Sequence, residues 1–335
     1  MEPKIEKQIE YFLRLNDKVG LIEHCRGSEP NYIEGWCVDD NARAIQVCLR
    51  YKDLRLSQIK IVCFSFLESA LKGDYFYNDL NQDLTWKEGF ESGGEHFGRA
   101  LTALGEVIKF DDELRNKAKV LFNKVYKLTN KNKNFWIRVL ANVILGLQYY
   151  HQNEIGFWAD IMVKKYYLEK SNDWLWFEPQ ITYDNGRIPM ALLVAYKTTK
   201  KKKYLEIALE SLDFLTKLIF NKEKDCFSFP GNKGWFTKSG NRAVFDQQPI
   251  EAGGMVEVYT LAYQITKNEK YKKLAKLAMD WYFGKNVLGL SMINQESGGI
   301  HDGLNEDGKV NPDQGAESVL SFLLAAKEIE KLNLT

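Results

Sequence analysis

Apolar residues recur at intervals of three and four along most of this chain, and alternation with a period of two is rare. Leu114, Ala118, Leu121, Val125 and Leu128 form one stripe; Leu205, Ala208, Leu209, Leu212 and Leu215 form another; Tyr271, Leu274, Leu277, Ala278 and Trp281 form a third. Such spacing places the apolar side chains on one face of an α-helix, so the chain reads as all-α. The stripes and their punctuation predict twelve helices, near residues 3–16, 38–53, 55–72, 94–109, 111–129, 133–151, 154–169, 184–199, 202–220, 247–266, 268–284 and 314–331.

The twelve alternate in character. Odd-numbered helices are amphipathic and rich in Lys and Glu, as in KNEKYKKLAKLAMDWYFG, which suits an outer layer touching water. Even-numbered ones carry Gly, Ala and apolar residues around most of the cylinder, as in RVLANVILGL, EAGGMVEVYTLA and ESVLSFLLAA, and a helix apolar all round is a buried one. Outer helices follow inner ones after a few residues. Most inner helices are preceded by long segments rich in Gly, Trp, Tyr and Asn, at 17–37, 73–93, 170–183, 221–246 and 285–313. Six such hairpins describe an (α/α)6 toroid, expected to take up residues 1–335 as one domain. All six inner helices then point their N-termini at one face, where the long loops gather and where long ordered loops usually do functional work.

Polar clusters sit at those same places. VDDNARA opens the second helix, GEHFGRA the fourth, YDNGRIPMA the eighth, DQQPIEAGG the tenth and DQGAESV the twelfth. In a toroid, Asp39, Asp40, Glu95, Asp184, Asp246, Glu251, Asp313 and Glu317 would converge on one funnel. Acidic residues at helix starts also serve as caps and complement the helix dipole. Capping accounts for one Asp per helix, but not for Asp39 with Asp40, for Glu95 beside His96, or for Glu178 six residues before Asp184. Trp36, Trp86, Trp174, Trp176, Phe177, Tyr183, Trp235 and Phe236 fall in the same loops. A single loop Trp is more often a packing anchor. Several of them beside carboxylates and amides fit the apolar faces and hydroxyls of sugars.

Composition narrows the classes. Lys and Arg total 46 against 45 for Asp and Glu, a net charge of +1 that offers no field for a polyanion, so nucleic acid is not an expected partner. No run of eighteen apolar residues exists to span a membrane. The N-terminus carries Ile5, Ile9, Phe12 and Leu13 at helical spacing rather than a signal-peptide pattern, and the five cysteines show no paired spacing. A reduced, cytoplasmic protein is expected. With four histidines and no two-His helical motif, no metal and no cofactor is expected, and no GxxxxGK[ST] phosphate loop occurs.

Cleaving a glycosidic bond takes one carboxyl that protonates the leaving oxygen and a second that attacks or activates water. Glu178, flanked by Trp176, Phe177 and Pro179, is the expected raised-pKa acid, and Asp40, in its polar cluster, the expected ionised partner. Asp184 is the third catalytic candidate, and Glu251 and Glu317 are substitutes in either role. Candidate substrate-binding groups are Trp36, Asp39, Arg43, Glu95 and His96 around the second and fourth helices; Trp176, Tyr183 and Asn185 before the eighth; Trp235, Asp246, Gln247 and Gln248 before the tenth; and His301 and Asp302, which either bond substrate or staple their loop.

These same segments, CVDDNARA, GEHFGRALTALG, WFEPQITYDNGRIPMALL, GNKGW with FDQQPIEAGGMVE, and DQGAESVLSFLLA, resemble the six-hairpin (α/α)6 glycosidase superfamily. Within it they are similar to a bacterial group associated with glycosyltransferases. The likeness covers nearly the whole chain and departs from the group's pattern at Thr102 and Gly186, where the group carries Trp and Ala. It implies a carbohydrate-active toroid, commonly an inverting hydrolase; the lack of a signal-peptide pattern favours short oligosaccharides as the expected substrate. Two other functions fit the same toroid: a sugar epimerase or isomerase, whose proton-transfer base would be His96 or His301, and a non-catalytic carbohydrate-binding partner of glycosyltransferases.

Overall fold

The structure, a computed structural model, describes residues 5–90, 93–130 and 135–332. All twelve expected helices form: α1 (Glu6–Arg14), α2 (Val38–Arg50), α3 (Arg55–Ala70), α4 (Glu95–Phe110), α5 (Arg115–Thr129), α6 (Ile137–Leu147), α7 (Ile155–Glu169), α8 (Arg187–Thr199), α9 (Lys202–Ile219), α10 (Pro249–Thr266), α11 (Glu269–Asp280) and α12 (Ala316–Glu330). The expected starts at residues 3 and 133 lie outside the described residues.

The even helices close a ring. Each packs on the next, α2 on α4, then α6, α8, α10 and α12, and α12 returns to α2. Around the ring α3, α5, α7, α9 and α11 each pack on the inner helix just before them, while α1 packs on α12 and so joins the two ends of the chain. Burial follows the sequence pattern. Every residue of α6 is buried, whereas α11 buries only Tyr271, Ala275, Ala278 and Met279, a single stripe. Two glycine contacts set the closeness of the inner ring. A Cβ on Gly146 of α6 would come within 2.5 Å of the Leu101 carbonyl of α4. One on Gly186 would come within 2.5 Å of the Gly254 carbonyl of α10, which is the physical reason Ala is not accommodated there.

Strands are short and were not legible as alternation, which two residues cannot display. They tie the long loops together. β1 (Cys25–Arg26) pairs antiparallel with β2 (Glu29–Pro30), Trp36–Cys37 with Asp79–Leu80, and Gln180–Ile181 with Phe236–Thr237.

Candidate active site

None of the acids that open the inner helices acts as the N-cap of its own helix. Cys37 caps α2, its sulfur accepting from the Asp40 N–H, while Gly94, Gly186, Gln248 and Gly315 precede α4, α8, α10 and α12. Asp39, Asp40, Glu95 and Glu317 instead occupy first turns, where the dipole favours a negative charge but does not require one. They are free to face a ligand.

They face a cavity of about 510 Å³ at the N-terminal ends of the inner helices. Its wall holds Asp39, Asp40 and Arg43 from α2, Glu95 and Arg99 from α4, and Glu317 and Ser318 from α12. Loops supply Glu23, His24, Tyr183, Asn232, Asp246, Gln248, Asp302, Asn311 and Asp313. Eight carboxylates thus surround two guanidiniums and one imidazole.

Two arginines organise the acids. Arg43 bonds Asp40 Oδ1 at 2.5 Å and Glu317 Oε2 at 2.8 Å. Arg99 lies 3.3 Å from Asp39, 3.5 Å from Glu95 and 3.2 Å from Asp184. Burial pushes the Asp40 carboxyl up to about 7 against the pull of Arg43, with Glu23, Glu317 and Asp39 adding repulsion. That direction is the reverse of the one its polar sequence neighbours suggested, because those neighbours sit in a desolvated wall rather than in water. Burial likewise raises Asp302 to about 6, opposed by the Ser318 hydroxyl and the Gly315 N–H, and raises Glu95 against Arg99. His24 is lifted to about 9, chiefly by its hydrogen bond to Glu23, so its imidazole is protonated at neutral pH.

A second polar layer lies behind this wall and does not line it. Burial would raise Asp184, but Arg187, Arg99, Arg43 and Arg138 outweigh it and hold the carboxyl below its usual range. Glu251 accepts from the Asp184 N–H and from Asn185 Nδ2 at 2.9 Å, and burial lifts it to about 8. Asn185 is fully buried and also donates to the Thr182 carbonyl at 2.9 Å. These three brace the turn into α8, where Asp184 adopts a left-handed φ of 47°. Glu178 is also off the cavity wall: it pairs at 3.0 Å with Arg138, which donates to the Tyr183 carbonyl as well.

The aromatics divide sharply. Trp176 is fully buried against Phe177, and Trp36 is buried with its ring edge-on to Tyr32. Both are packing anchors rather than sugar platforms, as the cost of leaving indole in water favours. Tyr183 alone of the expected aromatics lines the cavity; Trp235 backs it at 5.9 Å, and Arg138 lies over its ring at 4.7 Å. His96 is buried, with Nε2 against the Phe76 carbonyl at 3.0 Å. His301 is off the wall too, with Nδ1 2.7 Å from the Asn311 carbonyl, and burial keeps its pKa low. Gln247 is fully buried and staples a loop, accepting from the Phe229 N–H at 3.0 Å and donating to the Val244 carbonyl at 2.9 Å.

Sequence reasoning missed Glu23, His24, Arg99, Asn232, Asn311 and Ser318 as wall residues. Arg99 had a signal: Glu95 and Arg99 repeat the four-residue spacing of Asp39 and Arg43 one inner helix away. The loop residues had none. For a metal, the oxygen and sulfur atoms of Glu23, Cys37 and Asp40 lie within 4.8 Å of one another. The Cys37 sulfur is already committed to capping α2, and burial holds its thiol protonated, a poor match to the thiolate that a transition metal takes.

No family model and no curated protein sequence matches the chain. Solved structures do. A D-mannose isomerase superposes with a TM-score of 0.77 at 13% identity, covering 98% of this chain and 96% of that one. The cellobiose 2-epimerase of Bacillus thermoamylovorans gives 0.77 at 12% identity, covering 99% and 98%. An inactive variant of an α-1,6-mannanase of Salegentibacter, with two consecutive aspartates changed to alanine and α-1,6-mannotetrose bound, gives 0.67 at 12% identity and covers 98% of each chain. At such identities the likeness concerns architecture, and the described residues have the (α/α)6 toroid fold of these enzymes.

Proposed function

We propose that the protein is a glycoside hydrolase acting on short, uncharged oligosaccharides. Asp40 donates the proton to the leaving glycosidic oxygen, and Glu317 activates the attacking water. The observation that carries this reading is one guanidinium, Arg43, held between two unlike carboxyls. Asp40 is 4% exposed and keeps its proton near neutrality, whereas the Glu317 side chain is 39% exposed and open to water. A single bridging guanidinium keeps the two bonded oxygens within roughly 7–8 Å of one another, so both carboxyls can reach one substrate. Asp39 and Glu95, oriented by Arg99, accept from sugar hydroxyls, and Tyr183 stands beside them on the cavity wall. The mannanase above is inactive without two consecutive aspartates. Asp39 and Asp40 form such a pair on this cavity wall, which supports placing the chemistry here. The excess of carboxylates opposes an anionic glycan.

A second reading, epimerisation or isomerisation, draws support from the two sugar-interconverting enzymes of the same fold. Its base would be His301, which burial keeps neutral and whose Nδ1 is committed to Asn311. One experiment separates the two. The protein is incubated in D2O with α- and β-linked manno-, gluco-, galacto- and xylo-oligosaccharides, and products are followed by NMR. A new reducing end with no carbon-bound deuterium is the expected result; deuterium at C2 without cleavage would replace hydrolysis by epimerisation.

A further inference from the structure

The cavity does not stop at the catalytic carboxyls. Past His24, Asp302 and Asp313, which line both spaces, it continues into a second chamber of about 380 Å³ walled on its outer side by Arg26, Asn31 and Glu34. Small-ligand sites typically occupy about 300–1,000 Å³, so either chamber alone reaches the range.

The outer wall is built rather than incidental. The Gly27 N–H donates to Asp313 Oδ1 at 2.7 Å, from the tip of the β1–β2 hairpin. The Tyr11 hydroxyl donates to the Gln314 carbonyl at 2.7 Å, and the Asn31 N–H donates to the His24 carbonyl at 2.8 Å. The hairpin is therefore tied to the loop entering α12, and the groove's width is set before any ligand arrives. Arg26 and Glu34 are both exposed, and neither side chain makes an ion pair or hydrogen bond among the described residues. One guanidinium, one carboxylate and one amide on the outer wall leave donors and acceptors for hydroxyls, while Asp302 and Asp313 on the shared wall oppose an anionic ligand.

We infer that this second chamber is a subsite for a further uncharged sugar unit, so that the preferred substrate is an oligosaccharide of at least three units. The inference rests on reading the first chamber as a glycosidase site.

The test uses manno-, gluco- and xylo-oligosaccharide ladders from di- to pentasaccharide, with kcat/KM from product release and Kd from calorimetry, on the native protein and on R26A/E34A. For a recognised ladder, kcat/KM is expected to rise at least tenfold from di- to tetrasaccharide. The double variant is expected to lose that rise at an unchanged melting temperature. Indifference of the native protein to chain length, or a variant that keeps the rise, overturns the subsite. Length-dependent binding without cleavage leaves the subsite standing and removes the hydrolase reading. Ladders neither bound nor cleaved overturn both.

Discussion

The two ends of the inner ring use the same ionic parts for different ends. Toward the C-terminal ends of the inner helices a cavity of about 120 Å³ is lined by Arg50, Glu106, Glu257 and Glu328 among others, with Arg187 reaching it from the first turn of α8. There Arg50 bonds Glu106 at 2.8 Å and Arg187 pairs with Glu257 at 2.9 Å. At the N-terminal ends the cavity is four times larger, and carboxyls outnumber the cations that hold them. Helix dipoles favour cations at one end and anions at the other. Space decides the rest: charges closed in on one another serve the fold, while acids left facing an open funnel leave room for a ligand.

The sharpest way to break this contrast is to neutralise one acid at each end. D40N is expected to lower kcat by about 10²- to 10⁴-fold, the scale of a lost general acid, with far-UV circular dichroism unchanged. E106Q is expected to leave kcat within a few-fold but to lower unfolding free energy by about 3 kcal/mol, because it strips a buried partner from Arg50; urea titration measures it. If E106Q instead abolished turnover at full stability, the division between the two ends would fall.

The pH dependence sharpens the picture further. With Asp40 held at about 7 against an ordinary value of 3.8, its ionisation sets the alkaline limb of the rate profile, and kcat should fall as pH rises through about 7. Stability carries the same sign. Between about 4 and 7 the folded state keeps a proton that the unfolded chain has released, so this group's contribution is complete below about 4 and declines as pH rises toward 7. The difference in stability between the native protein and D40N should show that decline, whatever other groups do to both curves. The smallest effect is expected from E178Q, since Glu178 lies off the cavity wall in a pair with Arg138: kcat should stay within about threefold, as judged by initial rates on a cleaved substrate. A large loss there would return Glu178 to the chemistry.

Helix number, order and layer were legible because burial on a helix is periodic, and period survives in sequence. The face on which the largest group of expected residues converges was legible too, since Asp39, Asp40, Arg43, Glu95, Asp246, Gln248, Asp302 and Glu317 all reach one cavity wall. Depth was not. Asp184 and Glu251 open inner helices just as Asp40 does, yet they end one layer behind, screened by Arg99 and Asn185. Glu178, set among aromatics, drew attention for desolvation that Trp176 and Phe177 experience instead.

Sequence by itself determined the alternation of inner and outer helices, and with it the ring and the end where polar groups collect, because each follows from local spacing of apolar residues. Tertiary structure alone decided which acids face the funnel, which of them keeps a proton, and which loop residues, such as His24 and Asn311, complete the wall. The physical reason is that solvent exposure and electrostatic coupling depend on distances between segments as far apart in sequence as Arg43 and Glu317, and local spacing carries no record of those distances.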